Sequence, residues 1–175
     1  MAVGVAIKIN QRGFQRDMKE LARFFGDTRT LLSAIGDRHL GWIDENFSKG
    51  GAEKKWRPLS PNTIAARRQG SSAILQDTGR LKQSFVKKVE SDRVDVGTEE
   101  KKAKWHHEGT KPFTIRPRTA KVLRFMTTGG FVFTRVVDHP GLVARPLLPS
   151  DTLGERLALE TAEAAVDAAV KKASG

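Results

Sequence analysis

The chain contains no cysteine. Disulfide scaffolds, zinc ribbons and thiol catalysis are therefore excluded, and a reducing compartment is the natural setting. Long apolar runs are also missing. No stretch approaches the roughly 18 uninterrupted apolar residues that a membrane helix needs, so no membrane contact is expected. Met1 to Ile7 lacks a basic lead and a long apolar segment, so no signal peptide is read there. The protein is expected to be soluble and to stay in the cell that makes it. Acids are scarce in one region: residues 101–145 hold ten Lys or Arg against only Glu108 and Asp138. A two-metal nuclease needs clustered carboxylates, and that region has none. There is no G-x-S-x-G turn. Gly129-Gly130 precedes neither a helix nor a Lys-Ser/Thr pair, so it is no phosphate loop. Neither a cofactor nor a metal is expected.

What remains is a chain of 175 residues, enough for one domain. Its net charge is +11, which favours acidic partners such as nucleic acid or an acidic protein surface. The charge is uneven. Residues 151–175 carry five acids against Arg156, Lys171 and Lys172.

Alternating Val3, Val5, Ile7 and Ile9 predict a strand. Phe14, Met18, Leu21 and Phe25 then fall at helical spacing. A second helix is predicted from Thr28 to Ser48, capped by Asp27 or Thr28. Its Leu32, Ile35, His39, Ile43 and Phe47 share one face, to be laid on a sheet. A long flexible loop is expected over residues 49–76, with Ser60-Pro61 starting a short helix inside it. Thr78 is placed to cap another, carrying Leu81 and Phe85. Hairpins are predicted around Ser91-Asp92 and Thr127 to Gly130, and a short helix from Ala103 to Glu108 closed by a left-handed Gly109. Ser150 or Asp151 caps a last helix whose small stripe is Ala158, Ala162, Ala165 and Ala169. Strands cluster instead of alternating with helices. The fold class is therefore α+β, a single domain with a mostly antiparallel sheet packed against two or three helices.

His106 and His107 sit beside Trp105 and Glu108. Neighbours on a helix point about 100° apart, so both imidazoles cannot face one ion. A packing or interface role is the better reading, with a nuclease the remote alternative. His39, on an apolar face, reads as a hydrogen-bonded core histidine. Arg116, Arg118, Lys121 and Arg124 alternate with other residues and could form a charged row on one strand. Phe113, Phe125, Phe131 and Phe133 could stack on bases, but read better as the core of the hairpin.

Five landmarks recur in a telling order. They are Trp56-Arg57-Pro58-Leu59-Ser60-Pro61-Asn62-Thr63, Leu75-Gln76-Asp77-Thr78-Gly79-Arg80-Leu81, Val94-Asp95-Val96-Gly97-Thr98, Ala103 to Gly109, and Arg145-Pro146-Leu147-Leu148. Over about residues 28–160 they resemble the phage virion morphogenesis family, which includes tail completion proteins of Mu-like tailed phages. Two positions depart from the family pattern: Lys102, where an aromatic often precedes the alanine, and Leu147, where an aromatic is common. The resemblance implies a structural virion protein of the neck or tail end, with no catalytic residues. It implies a homo-oligomeric ring, hexameric in its usual form, around the DNA channel. The ring would contact adjacent neck, connector or tail-tube proteins, and DNA would pass through without sequence-specific binding. The residues assigned to partner or inter-subunit contact are Trp56, Arg57, Trp105, His106, His107, Arg116, Arg118, Lys121, Arg124 and Arg145. The alternative is a basic nucleic-acid-binding protein.

Overall fold

The computed structural model describes residues 5–8, 28–67 and 70–173. The helix expected over Phe14 to Phe25 lies outside the described residues. The strands are β1 (Val5–Lys8), β2 (Val86–Val89), β3 (Val94–Thr98), β4 (Phe113–Ile115), β5 (Leu123–Thr127), β6 (Gly130–Thr134) and β7 (Val137–His139). The helices are α1 (Arg29–Lys49), α2 (Pro61–Ala65), α3 (Arg80–Gln83), α4 (Lys101–Glu108) and α5 (Asp151–Ala173). The class is α+β and every strand pair is antiparallel. The strands divide among three small sheets, ordered β1-β3-β2, β4-β7 and β5-β6.

The core is the apolar face of α1. Leu32, Ile35, Trp42, Ile43 and Phe47 are buried on it, as the periodicity requires. They pack on β2, on β3 and on α5. Val94, Val96 and Thr98 of β3 turn the same way and are buried. The Phe47 ring meets Trp56 and Phe85 edge-on, with centroids 5.5 and 6.0 Å away. His39 is fully buried, and its Nδ1–H donates to the Ile35 carbonyl (2.8 Å), so it is the core histidine expected.

The ends of α1 show why its register is fixed. Thr28 holds the N-cap position, but its side chain makes no capping bond. Its Oγ1 donates to the Ser91 carbonyl (3.0 Å), tying the helix start to the β2–β3 turn. At the other end Gly50 is left-handed (φ 59°), and the Gly51 N–H reaches back to the Asn46 carbonyl (2.8 Å). That closure satisfies the last carbonyls and needs glycine. The short helix α2 starts as expected: Ser60 Oγ accepts from the Thr63 N–H (3.2 Å) and Pro61 follows. Thr78 does not cap α3: the N-cap is Gly79, in the left-handed conformation (φ 73°) with no side-chain cap, and Phe85 lies beyond the helix, in the core.

Lys87 occupies a helix-facing position in β2. Its stem lies over Gly36, and its ammonium reaches Ser33 Oγ (2.7 Å) and Asp37. A long amphipathic side chain can cover apolar surface in this way while its charge stays wet. The last helix α5 is capped by Ser150, whose Oγ accepts from Leu153 N–H (3.4 Å) and also bonds Glu53 (2.6 Å). Gly154, Leu157, Ala158 and Ala162 are buried on it, and the small ones let it approach α1 closely.

Two glycines of α1 should respond oppositely to alanine. A Cβ on Gly36 would stand 2.9 Å from Val94 Cγ2 and from Lys87 Cδ, whereas one on Gly41 would meet nothing within 4 Å. Gly36→Ala should cost ~1–3 kcal/mol through overpacking. Gly41→Ala should add ~0.5–1 kcal/mol, because an exposed helical glycine is replaced. Thermal melts of the two variants check this. A Gly36→Ala protein as stable as the wild type would overturn the close approach of α1 to β3.

Candidate interaction site

Helix α4 is short and carries two histidines that part company. His107 Nδ1 accepts the Leu147 N–H (3.1 Å) and lines a cavity of about 510 Å³ with Trp42, Glu53 and Pro146. His106 lines a different cavity, of about 330 Å³, with Arg67, Thr78, Arg80, Glu100 and Lys102. The helical offset has sent the two rings into separate spaces. Among the described residues no group of His, Asp or Glu could hold a metal ion. Trp105 of the same helix is exposed, while Ala103 is fully buried.

Gly109 ends α4. It takes a positive φ (78°) with an extended ψ (−178°), not the left-handed conformation expected. The reason is the neighbouring backbone: a Cβ there would lie 2.6 Å from the Leu142 carbonyl oxygen. Residues 142–148 run beside α4 as an extended return. Arg145 N–H donates to the His106 carbonyl (2.7 Å), and Thr110 N–H to that of Leu142 (2.9 Å).

Arg145 is 8% exposed. One terminal nitrogen donates to the Arg57 carbonyl (3.0 Å), while Nε is buried and has no partner. Burial, then the charges of Arg57 and Arg67, holds its pKa below the ordinary value for arginine. His106 is held below the ordinary histidine value, mainly by burial and then by Arg145 and Lys102. Its Nδ1 is also buried without a partner. The fold therefore brings Arg57, His106 and Arg145 together. Arg67 and Lys102 join them, and neither is among the contact residues read from the sequence. Trp56, by contrast, is 5% exposed within the single chain and belongs to the core.

The basic residues of 116–124 do not form one strand face. Strand β4 stops at Ile115, before Arg116-Pro117, where proline removes a ladder donor. Arg118 and Lys121 lie between strands, and only Arg124 is in β5. All four are exposed, and none makes an ion pair among the described residues. The guanidinium of Arg124 sits 3.8 Å from the centroid of the Phe131 ring. The phenylalanines are not a core. Phe131 is 52% and Phe133 62% exposed, and Phe113 and Phe125 are exposed too. A two-stranded hairpin has two faces; among the described residues α2 touches β5, yet these four rings stay exposed. Phe113 instead stacks on His139 (4.8 Å).

Taken together, this is an α+β domain with a helix-on-sheet core and, apart from it, an exposed surface rich in arginine and phenylalanine. The sequence model of the phage virion morphogenesis family matches residues 9–167, and the chain belongs to that family. That match starts earlier and ends later than the five motifs alone indicate. Membership assigns the chain to bacteriophage virion assembly, in a structural role. Comparison with curated proteins and with solved structures finds no match. Among the described residues no helix is long and apolar enough to cross a membrane.

The histidines make a pH prediction. His107, like His106, is held below the ordinary value, by burial against a smaller opposing pull from Glu108. Groups lowered in this way bind fewer protons folded than unfolded. Stability is then full above the ordinary histidine range and is lost as pH falls through it. His106→Gln should be destabilised less than the wild type on acidification from about pH 7.5 to 5.5. Melting temperatures of both proteins across that range check it. A constant gap between the two curves would remove His106 from the account.

Proposed function

We propose that this chain is a tail completion or head–tail joining protein that assembles as a ring at the neck of the particle. The observation that carries this reading is the uncovered hairpin, where Arg116, Arg118, Lys121, Arg124, Phe131 and Phe133 are all exposed. Exposed apolar surface flanked by charge marks an interaction site. The family supplies the setting, virion assembly. The role is structural and not enzymatic. The ring is hexameric, and its contacts are neighbouring copies and adjacent neck, connector or tail-tube proteins. Residues 49–76 settle against a neighbour in the ring, anchored within their own chain by Trp56. DNA passes through the channel without sequence-specific binding.

The hairpin docks on protein and not on DNA. Each phosphate contact adds a salt-sensitive hold that would retard passage through a channel. The outer side of α5 offers a suitable surface, with Leu159, Glu160, Glu163 and Asp167 exposed. The second reading, nucleic-acid binding, draws on the same hairpin, because exposed rings beside arginines also stack on bases.

Charge reversal at Arg116, Arg118, Lys121 and Arg124 separates these readings. The four residues are exposed, so the isolated protein should fold and melt normally. Complementation of a phage lacking the wild-type gene should yield unjoined heads and tails, or unfinished tails, by electron microscopy. Normal infectious particles would reduce the patch to a solvated face. Particles that assemble but fail in DNA retention or ejection would favour contact with DNA.

A further inference from the structure

Two exposed surfaces of this chain carry charges that the chain itself leaves unanswered, and their signs are opposite. The first is one face of the β5–β6 hairpin. The register sets Arg124 opposite Phe133 and Met126 opposite Phe131, so these four side chains share a face. The guanidinium of Arg124 over the Phe131 ring agrees with that placement. Both rings are more than half exposed, and Arg135, just beyond β6, is exposed as well. Neither arginine makes an ion pair among the described residues. The second surface is the outer side of α5. From Leu159 to Asp167 its exposed residues are Leu159, Glu160, Glu163, Ala164 and Asp167, three acids and no base. On α1, by contrast, every acid is answered at home: Asp37 by Lys87, Asp44 by Lys82 (2.7 Å) and Glu45 by Lys49. Glu160 has only Arg156, at 3.6 Å, and Glu163 and Asp167 pair with nothing among the described residues.

We infer that the hairpin face of Arg124, Phe131 and Phe133 docks on the outer side of α5 of a second copy of this chain. This names the partner of the hairpin and rests on its reading as a protein-docking surface. Leu159, 53% exposed, gives the rings an apolar seat, and the acids around it supply counter-charges for the arginines. The dimensions agree. Alternate residues of a strand lie about 7 Å apart. Both rings therefore fit within the rise of about 12 Å from Leu159 to Asp167 along a helix. The net charge of +11 makes copies repel on average, so they meet most easily where acids are in local excess, as they are on α5. Both surfaces are exposed in the single chain, so neither covers the other within it. Because the two surfaces differ, each docking leaves a free hairpin at one end and a free helix at the other. Such head-to-tail contact continues from copy to copy, as a ring requires.

The test uses the full-length chain in sedimentation velocity, at millimolar concentration in low and in high salt. The wild type should self-associate in low salt and less so in high salt. One variant reverses the hairpin (Arg124→Glu with Arg135→Glu), another the helix (Glu163→Lys with Asp167→Lys). All four positions are exposed, so both variants should melt like the wild type. Each variant alone should associate at least about tenfold more weakly, since like charges then meet. An equimolar mixture of the two should recover association, because each reversed surface finds its complement on the other chain. If a charge variant misfolds, Phe133→Ser and Leu159→Ser replace it, and each should weaken association without changing charge. No self-association of the wild type, association unchanged in either variant, or no recovery in the mixture overturns the inference. Should it fall while the four-residue hairpin variant still blocks particle assembly, the docking surface stands and its partner is another virion protein. Normal particles from that variant, together with a recovering mixture, would leave the pairing standing and remove the assembly role.

Discussion

One buried amide, Asn46, holds three segments of the chain at a single point. Its Nδ2 donates to the Pro146 carbonyl (3.0 Å) and lies 3.5 Å from that of Leu147. Its Oδ1 accepts the Ala52 N–H (2.7 Å). The residue is 2% exposed and its bonds to Pro146 and Ala52 are partly buried, so each contributes about 0.5–1.5 kcal/mol. The consequences spread outward. The loop after Gly50-Gly51 is turned back toward α1, and Trp56 drops against Phe47. The return segment is pinned to α1 on one side and to α4, through His106 and His107, on the other. Leu147 and Leu148 then plug the core, and α5 starts where Ser150 meets Glu53. The packing of α5 depends on where that return segment runs.

The molecule divides its apolar residues into two groups with different fates. Those on the inner faces of α1, β3 and α5 are buried within one chain. Those of the β5–β6 hairpin are not, because the pairing alternates them between two faces and, among the described residues, α2 touches β5 without covering the rings. A lone hairpin is marginal. This one is steadied at its tip, where the Thr128 N–H donates to Asn62 Oδ1 of α2 (3.0 Å). At its base β4 and β7 form a short ladder. Both supports are polar or backbone contacts, so they fix the hairpin in place without covering its rings.

Much of this was legible from residue pattern. The face of α1 shows at helical period, and Ser60-Pro61 and Ser150 announce helix starts by capping chemistry. The β2–β3 and β5–β6 hairpins follow from β-prone runs around turn residues. Other features were hidden, each for a physical reason. Asn46 looks like any polar helix residue, and its partners lie about a hundred positions away in the chain. Thr28 stands where a cap belongs, yet its hydroxyl found a tertiary acceptor at Ser91. The phenylalanines of β5 and β6 carry core composition, and composition does not say whether a second layer exists. Of the contact residues, Arg57, His106 and Arg145 come together only because the return segment runs antiparallel to the chain's earlier course past α4. Residue spacing cannot express that. The basic row failed for a simpler reason: Pro117 ends the strand that would have carried it.

A protein that assembles must first avoid assembling with the wrong surface. An exposed row of rings would by itself drive isolated chains together. The net charge of +11 opposes this between like molecules, although salt screens it beyond about 8–10 Å. At close range the arginines act differently. Arg124 lies over Phe131, and such a contact at an exposed site is worth only ~0.5–1 kcal/mol. It shields the ring weakly and gives way readily to a better partner. An acidic surface with apolar residues among its charges meets both conditions. It neutralises the guanidinium and covers the ring in one step, whereas an uncharged apolar surface would leave the arginine desolvated and unpaired. Specificity then arises from the cost of the wrong partner as much as from attraction to the right one.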